Sequence, residues 1–138
     1  MNKELLKQLE DIVNRGVAES YFPVVSKNSV RIKNMMVRKT KRGYMIIDTE
    51  KCQQIAFTEF KSTALAIAKC KAKGLSNTDT LLQLEQEMAK HYHDAIFYEN
   101  IINKTKDSFV RETRRTRLDI ALHESQRVRE KIDYFIFS

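Results

Sequence analysis

From Leu75 to Ser138 the chain contains neither glycine nor proline. These are the strongest local breakers of regular structure, so a stretch this long without them has little alternative to helix. Ser76 and Asp79 match a capping box at its start. Leu81, Leu84, Met88, His91, Ala95, Tyr98 and Ile102 then recur at alternating spacings of three and four, and Leu118, Ala121, Ser125, Val128, Ile132 and Phe135 repeat the pattern. Each half carries an apolar seam. The polar run NKTKDS, residues 103–108, is the place to reverse direction, since an unbroken helix would reach about 90 Å at about 1.5 Å per residue. The expectation is a long helical hairpin.

The amino-terminal part is different in texture. Leu5, Leu6, Leu9, Ile12 and Val13 recur at helical spacing and Gly16 follows, which predicts an amphipathic helix over 2–15. After Pro23, the segments SVRIKNMMVRKT, GYMIIDT and QQIAFTE are rich in strand-forming residues, with KRG and TEKC as turns. A three-stranded antiparallel sheet is expected. Helical spacing returns in FKSTALAIAKCKAKG, with Ser62 as its cap, Gly74 as its stop, and Ala64, Leu65, Ala68 and Ala72 as a narrow face that suits close packing on a sheet. The fold class is therefore α+β: residues 1–74 as a small α-βββ-α domain, and 75–138 as a helical hairpin packed on it or on a second subunit.

Composition narrows the class of protein. A hydrophobic share of 42% with 31% charged residues suits a folded chain. The start, MNKELLKQLEDIVNRG, lacks the apolar core of a signal peptide, and no run of about 18 apolar residues exists to span a membrane. An intracellular, cytoplasmic protein with no membrane partner is expected. Cys52 and Cys70 have neither zinc-site spacing nor the number of a disulfide framework, and read as ordinary thiols.

The net charge of +7 is unevenly placed. Residues 27–43 hold Lys27, Arg31, Lys33, Arg38, Lys39, Lys41 and Arg42 with no acid, and residues 61–74 hold Lys61, Lys69, Lys71 and Lys73 with no acid. So local a positive field attracts phosphate backbones. Val30 and Ile32 share one strand parity while Met35 and Val37 take the other, so a bulge near Asn34 would bring all four to the core side. Arg31, Lys33 and Arg38 then share the opposite side, extended by Lys39, Lys41 and Arg42. Lys69 and Lys73 project away from the alanine face of the following helix. These eight residues form the expected nucleic-acid surface; the alternative use of such charges is to keep a sheet edge from aggregating.

Two resemblances bear on this. The order helix, three strands, helix is similar to a double-stranded RNA-binding domain, which meets phosphates with lysines at the start of its last helix. Its glycine-rich stretch and lysine pair are missing, and TEFKSTAL stands in their place. Residues 43–74, GYMIIDTEKCQQIAFTEFKSTALAIAKCKAKG, resemble a segment of small uncharacterised proteins of marine tailed phages. That resemblance implies a viral origin, hence a host cytoplasm, and no particular activity.

HYHDAIFYEN, residues 91–100, is the stretch closest to metal chemistry. Glu87, His91 and Asp94 sit at spacings of four and three, but a di-metal bundle needs carboxylates from several helices, and the second helix offers only Asp119 and His123 beside its seam. Phosphate loops, nucleophile elbows and HExxH helices do not occur in the sequence. The expected function is a non-enzymatic binding and assembly protein without cofactor, a homo-oligomer through the hairpin that contacts nucleic acid. The alternatives are a structural or protein-binding phage protein with no nucleic-acid role and, third, a metal-dependent helical-bundle enzyme. RETRRTR, residues 111–117, is expected to clamp the hairpin through Arg114 and Glu99 rather than to bind phosphate.

Overall fold

The structure, a computed structural model, describes residues 3–14, 24–26 and 29–137. Its elements in chain order are α1 (Lys3–Val13), β1 (Val24–Ser26), β2 (Ser29–Ile32), β3 (Met35–Lys39), β4 (Tyr44–Asp48), β5 (Gln53–Thr58), α2 (Lys61–Ala72), α3 (Thr78–Lys104) and α4 (Ser108–Phe137). The fold is α+β, with an antiparallel sheet in the order β1-β2-β3-β4-β5. Gly16, expected to end the first helix, lies outside the described residues, as does Lys27.

The sheet has five strands where three were expected. What reads as one long strand, SVRIKNMMVRKT, is a hairpin whose two-residue turn is Lys33–Asn34, with Ile32 paired to Met35 and Val30 to Val37. Lys33 takes φ 51°, a left-handed conformation normally given to glycine or asparagine, which is why the turn leaves no familiar mark. It is held from outside: Thr49 donates its N–H to Asn34 O at 2.8 Å, and Arg31 Nε donates to Lys33 O at 2.8 Å. A turn, not a bulge, therefore switches the parity. Val30, Met35, Val37 and Ile46 lie buried on one face, and Arg31 and Arg38 point from the other.

α2 packs on the apolar face of the sheet, and the α3–α4 pair packs over α2. With neighbours on both sides, residues 62–70 are all buried. One continuous core joins Val30, Val37 and Ile46 of the sheet, Leu65 and Ile67 of α2, and Leu81, Met88, Val128 and Ile132 of the last two helices. The core thus crosses residue 74. A second cluster, Leu5 and Leu9 with Ala95, Ile102, Leu118 and Ala121, fastens α1 along the other half of the hairpin.

The chain reverses at Thr105–Asp107, between α3 and α4. The two helices run antiparallel, as the pairing of Arg127 with Glu87 shows. On α4 the buried line is Leu118, Ala121, Ser125, Val128 and Ile132. On α3 the seam differs from expectation: Leu81, Glu85, Met88, Ala95, Glu99 and Ile102 are buried, while Leu84, His91 and Tyr98 are half-exposed. α3 meets α4 on one side and α1 and α2 on another, so its buried stripe is broader and centred one position further on.

The expected Arg114–Glu99 clamp is not formed. Asn103, one turn along the same helix, donates to Glu99 Oε1 at 3.3 Å, and Arg114 Nε is buried with no hydrogen-bond partner. Arg111 and Arg115 are exposed. The helix starts also differ from the expected caps. α3 begins after Asn77 rather than Ser76, and Ser62 lies inside α2, where its Oγ donates to Val13 O at 2.6 Å. Gly74 does end α2: it takes φ 77°, and Leu75 returns its N–H to Cys70 O at 2.9 Å.

A polar junction joins the elements. Asn14 Oδ1 accepts the N–H of Lys61 at 2.8 Å and so caps α2 from the far end of α1, while Asn14 Nδ2 donates to Glu10 Oε2 at 2.7 Å. Glu85 Oε1 of α3 accepts the N–H of Phe60 at 3.1 Å. From α4, buried Arg129 pairs with Asp133 at 2.8 Å and donates to the carbonyls of Asp11 and Ile12, which the end of α1 leaves open. Replacing Arg129 by alanine strands those carbonyls and should cost about 3 kcal/mol of stability. Urea unfolding of Arg129→Ala against the parent chain measures this, and an unchanged midpoint would count against a structural role for the guanidinium.

Candidate nucleic-acid interface

The eight basic residues expected to act together are distributed by the fold into three places. Arg31 and Lys33 sit by the β2–β3 turn, where Arg31 is tied to Lys33 O and to Thr49 Oγ1 at 3.3 Å. Arg38, Lys39, Lys41 and Arg42 gather at the opposite end of the strands, around the β3–β4 turn, and all four are exposed. Among the described residues none of these four forms an ion pair. Lys69 and Lys73 lie on α2, on the other side of the sheet from Arg31 and Arg38. Lys69 is only 4% exposed, because α2 is covered above as well as below. Its assignment to a nucleic-acid surface is thereby corrected; Lys73 is exposed but engaged within the chain.

The β3–β4 turn owes its order to Thr40. Its hydroxyl donates to Gly43 O at 3.1 Å and accepts the N–H groups of Gly43 at 3.2 Å and Arg42 at 3.3 Å, while Thr40 N donates to Gly43 O at 2.8 Å. Glu59, the carboxylate next to the end of β5, is occupied by His93 Nε2 at 2.8 Å. Lys41 and Arg42 are thus mounted on a fixed turn, Arg38 and Lys39 stand at the end of β3 that leads into it, and Glu59 nearby is hydrogen-bonded by His93.

The outward face of the sheet beside this turn has no counterpart in the sequence reading. Register places Arg38, Met45 and Phe57 in one cross-strand row and Arg31, Met36, Ile47 and Gln54 in the next. Met36, Met45 and Ile47 are half-buried and Phe57 is 43% exposed. A Cβ added to Gly43 would stand 2.3 Å from Thr58 O and 3.0 Å from Phe57 Cζ, so the phenyl ring lies across the glycine. The signal is present as the parity of Arg38, Met45 and Phe57, but it becomes legible only once the strand pairing is known.

The metal-like stretch does not converge. Glu87 meets Arg127 at 3.4 Å, His93 turns to Glu59, and Tyr92 turns inward, its hydroxyl donating to Glu10 Oε1 at 3.4 Å. Burial, with the Glu10 carboxylate beside it, pushes the Tyr92 phenol up to about 12. A shallow groove of about 530 Å³ between α1 and α4 is lined by Gln8, Asp11, Ile12, Asp119, Leu122, His123 and Gln126. His123 Nδ1 lies 2.8 Å from Asp119 O, its own helix's carbonyl. Among the described residues no group of three or more His, Cys, Asp or Glu side chains is placed to hold a metal ion. No described helix is long and apolar enough to cross a membrane.

Burial also raises the Glu85 carboxyl above its ordinary 4.5, against the lowering effect of the Phe60 N–H. A raised folded-state value favours the protonated form, so this stabilisation is complete below pH 4.5 and is lost as pH rises through the folded value. Glu85→Gln keeps the acceptor and removes the charge. It should melt like the parent at acid pH and at higher temperature than the parent at neutral pH, as thermal melts across that range will show. In comparisons with known proteins no family model matches the chain, and no curated protein or solved structure matches it.

Proposed function

We propose that this protein is a non-enzymatic nucleic-acid-binding and assembly protein that meets phosphates with Arg38, Lys39, Lys41 and Arg42. The observation that supports the reading is their gathering at the end of β3 and on the ordered turn that follows it, with no internal ion pair among the described residues. Four adjacent cations without carboxylates to neutralise them project a field that a polyanion relieves by releasing its counterions. Arg31 and Lys33, at the far end of the same strands, extend the surface for a ligand that runs along the sheet. The resemblance of residues 43–74 to phage proteins favours the cytoplasm of an infected cell as the setting.

The test is titration of the full chain with labelled oligonucleotides at several salt concentrations. Replacing Arg38, Lys39, Lys41 and Arg42 together by glutamine should weaken binding at least tenfold and flatten the dependence of log affinity on log salt by roughly 0.7–0.9 for each phosphate that is no longer neutralised. Equal affinity and an equal slope would refute the reading.

Assembly rests on a separate observation. Phe109, Ile120 and Tyr134 are 77%, 57% and 70% exposed and fall along one side of α4, since their separations return to within about 40° of whole turns at about 3.6 residues per turn. An antiparallel pairing of two α4 helices about a twofold axis near residue 121 brings Phe109 of each copy against Tyr134 of the other, with Ile120 near the axis. The parent chain should sediment as a dimer and Ile120→Glu as a monomer. A monomeric parent at high micromolar concentration would remove assembly from the function.

A further inference from the structure

We infer that the ligand of this surface is a single strand of nucleic acid, whose unpaired bases stack on Phe57 while its phosphates meet Arg38, Lys41 and Arg42. The inference rests on the nucleic-acid reading above and adds the strand state. Its starting point is the outward row Arg38, Met45, Phe57, in which a cation, a flexible apolar side chain and an aromatic ring stand side by side on neighbouring strands. Strands lie about 4.8 Å apart, so the guanidinium-bearing and ring-bearing backbones are separated by about 10 Å. The ring approaches Gly43, which directly follows the turn cations Lys41 and Arg42 in sequence. Aromatic surface and positive charge therefore form one continuous patch.

A duplex presents phosphates on its outside but hides the faces of its bases in the stack. It can satisfy the cations and leaves the exposed ring of Phe57 with nothing to stack on. A single strand offers both, and aromatic stacking with a basic flank is how unpaired strands are held without regard to sequence. The lack of a side chain at Gly43 suits the same purpose. Any Cβ there would collide with Thr58 O and the ring, so glycine leaves the room that the ring occupies beside the strand. Met45, half-buried beside it, supplies a pliable apolar floor that accepts bases of different size.

The chain contains no tryptophan, which gives a direct probe. Oligothymidylate and oligouridylate, which stay unpaired, are titrated against the full chain in parallel with a blunt mixed-sequence duplex. Both single strands should bind more tightly than the duplex, and Phe57→Ala should weaken them about tenfold while leaving duplex affinity unchanged. In Phe57→Trp the single added indole should be quenched on adding either single strand and unaffected by the duplex. That variant carries the test should Phe57→Ala lose its circular-dichroism signature of folding. If the duplex binds at least as well as the single strands, or if the alanine variant is silent and the indole is not quenched, the strand assignment is overturned and nucleic-acid binding stands. If no oligonucleotide binds at all, both readings fail together.

Discussion

The carbonyl end of α1 and the amino end of α2 meet head to tail, and each supplies what the other lacks. A helix leaves its last carbonyls and first N–H groups without partners, and each one buried unsatisfied costs about as much as a lost hydrogen bond. Here Asn14 takes the N–H of Lys61, Ser62 gives its hydroxyl to Val13 O, and Arg129 closes the carbonyls of Asp11 and Ile12. Glu85 completes the junction at Phe60 N. Every layer of the protein contributes to this one place: α1, the end of the sheet, α2 and both helices of the hairpin.

That junction determines what the remaining surfaces do. By fixing α2 between sheet and hairpin, it buries the helix on both sides, which is why a lysine as long as Lys69 is almost wholly enclosed. It also draws α3 against three helices, and its seam accordingly admits Glu85 and Glu99 where a simple two-helix pattern would place only apolar residues. A buried carboxylate is tolerated where it serves as an acceptor, and Glu85 has that role. Because helix packing is concentrated on one side of the sheet, the other side keeps its half-exposed methionines and Phe57.

Local signals in the sequence are sufficient for elements whose ends are punctuated. The want of glycine and proline after Gly74 foretells α3 and α4, NKTKDS contains the reversal at Thr105–Asp107, and Gly74 stops α2 through its left-handed backbone. Signals fail where a turn or cap is supplied from a distance. Lys33 adopts its positive φ with Thr49 and Arg31 holding the loop, residues remote or unremarkable in the sequence, and so two strands read as one. Ser62 reads as a cap because it opens an apolar run, yet its hydroxyl serves another helix. Arg114 and Glu99 pair on paper because the hairpin brings them level, and level does not decide which donor a carboxylate already has.

The candidate surface shows the same division between local and distant information. Its cations are plain in the sequence, but charge by itself does not separate a binding surface from a solvated edge. Two features of the fold bear on that choice. Thr40 ties the β3–β4 turn into a fixed loop, so the backbone carrying Lys41 and Arg42 needs no further ordering when a ligand arrives, and only side-chain freedom is given up. Charges that merely discourage edge pairing belong on the outermost strand, whereas β3 and β4 lie inside the sheet, flanked by β2 and β5. Arg38, on the interior strand β3 and in one row with the exposed ring of Phe57, protects no edge. Its position is consistent with the proposed attraction to something anionic that lies across the sheet.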